Sequence, residues 1–148
     1  MAYTVVLGLG NLLLGDEGVG VHAARALLAG GLAGVEVIDV GTAILDALPA
    51  LRRAERLVVI DAVQAGGTPG SIYRMPFDQV RPAAMVAGLH GFDLSRALAL
   101  AGREDAPEHV LVFGVEPARI EWSLELSPAV AAALPFLLDA VRAEVGPA

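Results

Sequence analysis

Two adjacent acids stand at the end of a glycine-rich turn near the start of the chain. Asp16 and Glu17 follow an apolar segment and the turn over residues 8–15 (GLGNLLLG), and they come directly before a predicted helix. A turn of this kind ordinarily cradles phosphate, because its backbone N–H groups and the helix N-terminus are electropositive. Here that positive end faces two carboxylates, so the motif favours a site for a cation or a proton.

Two further residues carry groups that could complete such a site. Asp61 directly follows the apolar run 57–60, and an apolar strand has no structural need for a terminal carboxylate. His90 stands in a glycine-flanked segment ahead of a predicted helix, so its imidazole can project toward the same place. The ordinary roles of such residues are structural, since an isolated Asp often caps a turn and a loop histidine is usually solvated. We interpret the remaining histidines as structural or surface residues: His22 and His109.

Glu17, Asp61 and His90 together offer carboxylate oxygens and one imidazole nitrogen. With ionised acids and a neutral imidazole, this set suits a borderline divalent ion such as zinc, nickel or cobalt, and it leaves coordination positions open. Alternatively, the two acids share a proton and activate water, because proximity separates the pKa values of paired carboxylates. The sequence leaves both readings open because it does not give the separation of the acids.

The spacing of apolar segments predicts the elements that position these residues. Short β-branched runs alternate with longer Ala/Leu segments, as in a parallel sheet covered by helices. We predict strands at residues 4–9, 35–40, 57–61, 71–75 and 110–115, with the fourth at an edge. We predict helices at residues 18–28, 42–48 (stopping before Pro49), 93–100 and from Pro128 onward, the last capped by Ser127 and kinked at Pro135.

This pattern predicts an α/β fold: a single domain over residues 1–148 with three layers (α/β/α) and a mostly parallel, twisted sheet of about five strands. In open sheets of this class, ligands bind beyond the carboxyl ends of the strands. Glu17, Asp39 and Asp61 each lie at or just after such an end. We therefore expect the three acids to share one edge of the sheet.

Composition excludes several kinds of chemistry. The 148 residues contain no cysteine, which excludes a thiol nucleophile, a disulfide and a thiolate metal site. Every basic side chain is arginine, which excludes a Schiff-base lysine and a P-loop lysine. A net charge of −7 disfavours nucleic acid and anionic membranes as partners.

The distribution of apolar residues favours a cytoplasmic, soluble chain. The longest apolar run, residues 129–138, is interrupted by Pro135 and is shorter than the roughly 20 residues of a membrane span. The first basic side chain is Arg25, so the N-terminus does not resemble a signal peptide. No long amphipathic stripe is left over, so we expect a monomer.

Other glycine-rich motifs fit the chain poorly. A dinucleotide fingerprint requires a small residue where Leu13 stands, so we expect no organic cofactor. The opening GLGN of residues 8–11 also resembles the start of bacterial peptidyl-tRNA hydrolase, but an acidic turn and a chain without lysine suit tRNA poorly. No serine lies in a G-x-S-x-G nucleophile elbow.

The ordered set of motifs resembles the nickel-iron hydrogenase maturation endopeptidases over essentially the whole chain. The blocks that carry the resemblance are residues 8–11 (GLGN), 15–20 (GDEGVG), 39–42 (DVGT), 59–62 (VIDA), 90–92 (HGF), 114–117 (GVEP) and the closing segment 126–130 (LSPAV). The resemblance implies an aspartic-type endopeptidase that removes a short C-terminal extension from the large-subunit precursor of such a hydrogenase after nickel insertion.

The resemblance also implies roles for particular residues. The family's metal-contacting positions fall on Glu17, Asp61 and His90, which the chemistry above selects as well, and these are the expected catalytic residues; Asp16 and Asp39 match supporting acids. Nickel would then be contacted in the precursor, and zinc or another divalent ion can take its place in the free protein. A different reading is a non-catalytic nickel-sensing or docking module that marks the precursor for another protease.

Overall fold

The described residues form one five-stranded sheet covered by helices. The computed structural model describes residues 3–80, 89–102 and 110–146, without the side chains of residues 89–93. The strands are β1 (Thr4–Leu9), β2 (Val35–Gly41), β3 (Arg56–Ala62), β4 (Ile72–Pro76) and β5 (Val110–Val115). Their order is β2-β1-β3-β5-β4, with parallel pairing except between β4 and β5. This order confirms the predicted α/β class and the position of the fourth strand at an edge.

The helices connect these strands and lie on both faces of the sheet. They are α1 (Val19–Gly30), α2 (Leu48–Arg53), α3 (Leu89–Leu100) and α4 (Pro128–Val145), and short 3₁₀ turns occupy Gly15–Gly18, Ile44–Ala47 and Phe77–Gln79. None of the helices in the described ranges is long and apolar enough to cross a lipid bilayer. Ser127 caps α4 as predicted, because its side chain accepts a hydrogen bond from the backbone N–H of Val130.

Two helix predictions were wrong in their bounds. The helix predicted at residues 42–48 is a 3₁₀ turn, and α2 follows it with Pro49 in its first turn, where a missing N–H costs nothing. Helix α3 begins four residues before its predicted start, so His90 lies in its first turn instead of in a preceding loop. Both errors come from treating proline and glycine as boundaries where the packed chain tolerates them.

Alternate residues of the central strands bury side chains in two separate cores. Val5 and Leu7 of β1 pack on the face covered by α2 and α3, whereas Val6 packs on the face covered by α1 and α4. Leu51 and Leu94 belong to the first core. The second core includes Leu27 and Leu137. The sheet is therefore the middle of three layers, and its carboxyl edge remains available for a site.

Candidate active site

The turn that carries the two acids is pressed against the end of β1. Gly10 has φ of +132°, in the region that favours glycine, and a side chain there would collide with the backbone carbonyl of Glu17. The absence of a side chain at Gly10 therefore lets the 3₁₀ turn Gly15–Gly18 fold back over the strand. This contact explains the second glycine of the GLGN sequence.

A second glycine brings the first turn of α1, which directly follows the acid turn, against β1 and β3. A side chain on Gly20 would collide with the carbonyl oxygens of Leu9 and Ile60, so the first turn of α1 lies directly on the ends of β1 and β3. Asp61 is the next residue after Ile60, and Glu17 lies three residues before Gly20. The structure therefore brings Glu17 and Asp61 to the same edge of the sheet, between neighbouring strands.

Both of these carboxylates are buried. The side chain of Asp61 accepts a hydrogen bond from the backbone N–H of Ala62 at 2.8 Å, and both Asp61 and Glu17 make further polar interactions. Burying a carboxylate is costly unless hydrogen bonds or a cation compensate for lost hydration. Two buried carboxyl groups at the carboxyl edge of the sheet are suited to binding a cation or holding a proton.

The third predicted member of the site is only partly placed. The backbone of His90 lies in the first turn of α3, but its side chain lies outside the described residues, as does all of His109. Within the described ranges, no three His, Cys, Asp or Glu side chains are grouped so that they could hold a metal ion. The set Glu17, Asp61 and His90 therefore stays a prediction.

Asp16 organises the loop that follows β5. Its buried carboxylate accepts four hydrogen bonds: from the backbone N–H groups of Ala118 (2.8 Å), Arg119 (2.9 Å) and Ser127 (2.7 Å), and from the Ser127 hydroxyl (2.7 Å). Burial raises the pKa of Asp16, but these donors more than offset it and hold the pKa below its ordinary value. Asp16 is thus an ionised structural centre beside Glu17.

Another buried acid, Glu116, was not singled out by the sequence analysis. Its Oε1 accepts hydrogen bonds from the backbone N–H groups of Ala65 and Gly67, both at 2.9 Å, and from the Tyr73 hydroxyl at 2.7 Å. Burial raises the pKa of Glu116. The Tyr73 hydroxyl and the backbone donors together lower it by more, so the pKa is below its ordinary value. Its position directly after an apolar strand, like that of Asp61, was a usable indication.

Two other polar residues have structural contacts. Asp39 lies within β2, two residues before its end at Gly41, and its carboxylate pairs with the Nε of Arg25 at 2.8 Å. The Nε2 atom of His22 is buried without a hydrogen-bond partner among the described residues. Burial and the charge of Arg25 lower the pKa of His22, and the Leu124 carbonyl partly offsets them, so the neutral ring is favoured.

The sheet order, the acid-bearing turn and the two buried acids define an α/β protein whose candidate site lies at the carboxyl edge of the sheet. The family model for hydrogenase maturation proteases (HycI) matches residues 21–144 of this chain. That range includes Asp61 and His90 and begins after Glu17. The chain therefore belongs to the hydrogenase maturation protease family.

Individual relatives agree with this assignment. The chain is 38% identical over 122 residues to the hydrogenase expression/formation protein HupD of Thiocapsa roseopersicina. The match covers 79% of this chain and 55% of HupD, so this chain spans little more than half the length of that relative. It is 32% identical to the hydrogenase 2 maturation protease of Escherichia coli K12, over 94% of this chain and 88% of that one. The solved structure of the E. coli hydrogenase maturating endopeptidase HybD superposes with a TM-score of 0.79 and 28% identity, covering 97% of this chain and 91% of HybD.

Proposed function

We propose that this chain is an endopeptidase that removes the C-terminal extension from the nickel-loaded large-subunit precursor of a nickel-iron hydrogenase and so completes its maturation. The observation that carries the proposal is the pair of buried carboxylates, Glu17 and Asp61, at the carboxyl edge of a sheet in a member of this family. We further propose that the chain acts in the cytoplasm, as a monomer, and without nucleic acid as a partner.

The acids offer two ways of hydrolysing a peptide bond. In one, Glu17, Asp61 and His90 complete the coordination of the nickel held in the precursor, which aligns the precursor and polarises the scissile carbonyl. In the other, Asp61 or Glu17 takes a proton from the attacking water as a general base, in the manner of an aspartic-type peptidase. Two oxygen ligands and one nitrogen ligand would leave room for the ligands that nickel already has in the precursor.

The absence of cysteine supports a role in testing for nickel. A protease that acts only on a loaded precursor has to contact the metal without removing it. Thiolates bind nickel strongly and would compete for it, whereas carboxylates and an imidazole bind it more weakly. The donor set of this chain therefore favours reversible contact with nickel held by the precursor.

The intact mass of the precursor tests this function directly. We expect the purified protein to release a C-terminal peptide from a nickel-loaded precursor and to leave the nickel-free precursor uncut. Cleavage of both forms would contradict the nickel requirement. Cleavage of neither form by the purified protein, with a well-matched precursor, would instead favour the non-catalytic sensing module.

Substitution of Asp61 tests the candidate site. Asp61→Asn retains the size of the side chain but removes its charge, its basicity and most of its strength as a ligand, so we expect cleavage to fall at least about 100-fold. The matched control is Asp139→Asn, the same change at an exposed position on α4, which we expect to cleave at the wild-type rate. Full processing by Asp61→Asn would remove Asp61 from both mechanisms.

A further inference from the structure

The loop between β5 and α4 exposes large apolar side chains next to the acid turn. Trp122 is 79% exposed, and Ile120, Leu124 and Leu13 are exposed as well. We call these four side chains the Trp122 surface. Apolar side chains gathered in one place mark an interaction site far more often than single exposed ones do.

A short backbone pairing brings three members of this surface together: Leu13, Trp122 and Leu124. Trp122 and Leu124 flank Ser123, whose N–H donates to the carbonyl of Leu13 at 2.9 Å and whose carbonyl accepts from the N–H of Gly15 at 2.8 Å. Gly15 is the first residue of the turn that carries Asp16 and Glu17. The Trp122 surface therefore adjoins the candidate active site through the backbone itself.

The loop is held in place before any partner binds. The four hydrogen bonds to Asp16 fix its beginning, at Ala118 and Arg119, and its end, at Ser127. A surface that is already ordered loses little conformational entropy on binding, so its apolar area contributes more fully to affinity.

The charges around the surface are mainly negative. A cavity of about 130 Å³ beside Gly15 is lined by two acids, Glu121 and Glu125, and by Arg119, whose Nη1 lies 3.8 Å from Glu121 Oε1, so the lining keeps a net negative charge. The backbone carbonyl oxygens of Arg119, Glu121 and Glu125 lie 3.2–3.7 Å from the place where a Gly15 Cβ would stand. Arg119 is the only basic residue in the segment 116–127. A partner that complements this region offers apolar side chains together with a basic one.

We propose that the Trp122 surface docks the precursor polypeptide through a segment with apolar side chains and a neighbouring basic side chain, close to the bond that is cut. The apolar side chains pack on Trp122 and Leu124, and the basic side chain enters the cavity beside Gly15. The proposal rests on the proposed function, because the precursor is the polypeptide that must pass the adjoining site.

Kinetics of precursor cleavage test the apolar contact. Trp122→Ala is expected to raise KM roughly tenfold with kcat unchanged, since the residue binds substrate and transition state alike. The matched control is Phe136→Ala on α4, which removes another aromatic side chain, 69% exposed, and is expected to change KM less than about twofold. Circular dichroism confirms that both variants fold.

Fluorescence reports the same contact without requiring cleavage. Trp122 is the only tryptophan of the chain, so its emission reports this surface alone. The emission of the precursor is subtracted by running the same titration with Trp122→Phe. On saturation with nickel-loaded precursor, we expect the emission to shift to shorter wavelength and acrylamide quenching to fall. The double variant Glu121→Gln/Glu125→Gln is expected to raise KM severalfold at low salt.

The outcomes separate docking from catalysis. The docking proposal is wrong if the precursor is cut but Trp122→Ala leaves KM unchanged, or if the precursor is cut but the Trp122 emission does not move. Either result leaves the endopeptidase function standing. A precursor that binds with the emission shift but is never cut supports docking and contradicts the function. An unchanged KM in the double glutamine variant contradicts the binding of a basic side chain of the precursor in the cavity.

Discussion

Among the described residues, four acids are buried, and two of them hold loops in place through hydrogen bonds. Asp16 and Glu116 each collect several hydrogen bonds from loop backbone and hydroxyl groups, so their charge stabilises the loops on either side of the site. Glu17 lies in the 3₁₀ turn that packs on the end of β1, and Asp61 is the next-to-last residue of β3. The structural acids therefore set the shape of the edge in which the candidate catalytic acids act.

Replacement of Asp16 should cost stability and activity together. Asp16→Asn removes the negative charge that four donors share. The new amide N–H₂ group would also replace one acceptor oxygen with a donor that faces other donors. We expect a loss of about 2–3 kcal/mol in the free energy of unfolding, measured by urea denaturation. The exposed Asp39→Asn, which breaks a surface pair with Arg25, should cost less than about 1 kcal/mol.

The pH dependence of stability checks the same residue. Because folding depresses the pKa of Asp16, its contribution is complete above the pKa of the unfolded chain and is lost as the pH falls through the lower folded value. The difference in stability between wild type and Asp16→Asn should therefore be constant near neutrality and shrink in acid. A difference that persists unchanged below the pKa of the unfolded chain would contradict a depressed pKa for Asp16.

At the scale of elements, α4 contains two prolines with opposite consequences. Pro128 occupies the first turn, where no backbone N–H is needed, whereas Pro135 lies inside the helix and cannot bond to the carbonyl of Ala131. The helix nevertheless runs from Pro128 to Val145. Burial of Leu137 and Val141 in the core beneath it compensates for the missing bond.

Replacement of Pro135 should stabilise the protein. Pro135→Ala restores one helical hydrogen bond and removes the steric clash of the ring at an exposed position. We expect the free energy of unfolding, measured by heat or urea, to rise by about 1–2 kcal/mol. This is less than the full cost of an interior proline, because the helix already accommodates the ring. Pro128→Ala is the matched change and should be neutral or slightly destabilising. A loss of stability in Pro135→Ala would mean that the ring itself packs favourably.

Elements with a simple apolar pattern were predictable from the sequence, and those decided by packing were not. The runs that became β1 and β5 are buried except for the partly buried Leu111, and their predicted bounds agree with the structure to the residue. The bounds of α2 and α3 depended on how Pro49 and His90 are accommodated in helical first turns. Likewise, the sequence shows Glu116 as an acid but not the three donors that converge on it.

At the scale of the molecule, we expect the fold to form without a metal ion. Two apolar cores enclose the sheet, and the chain has no cysteine with which to hold a structural ion. Glu17 and Asp61 are buried near the carboxyl edge of the sheet, where β1 and β3 end. Loading with metal and folding should therefore be separable in this protein.

Chelation and metal addition test that separation. We expect EDTA to leave the Tm of the purified protein unchanged, and a millimolar excess of nickel or zinc to raise it by a few degrees, because a weakly bound ion stabilises only in proportion to its saturation. Asp61→Asn should abolish the rise, and Asp139→Asn should retain it. A stoichiometric metal that survives mild chelation would contradict weak, exchangeable binding, and an equal rise in Asp61→Asn would place the ion elsewhere on the acidic surface.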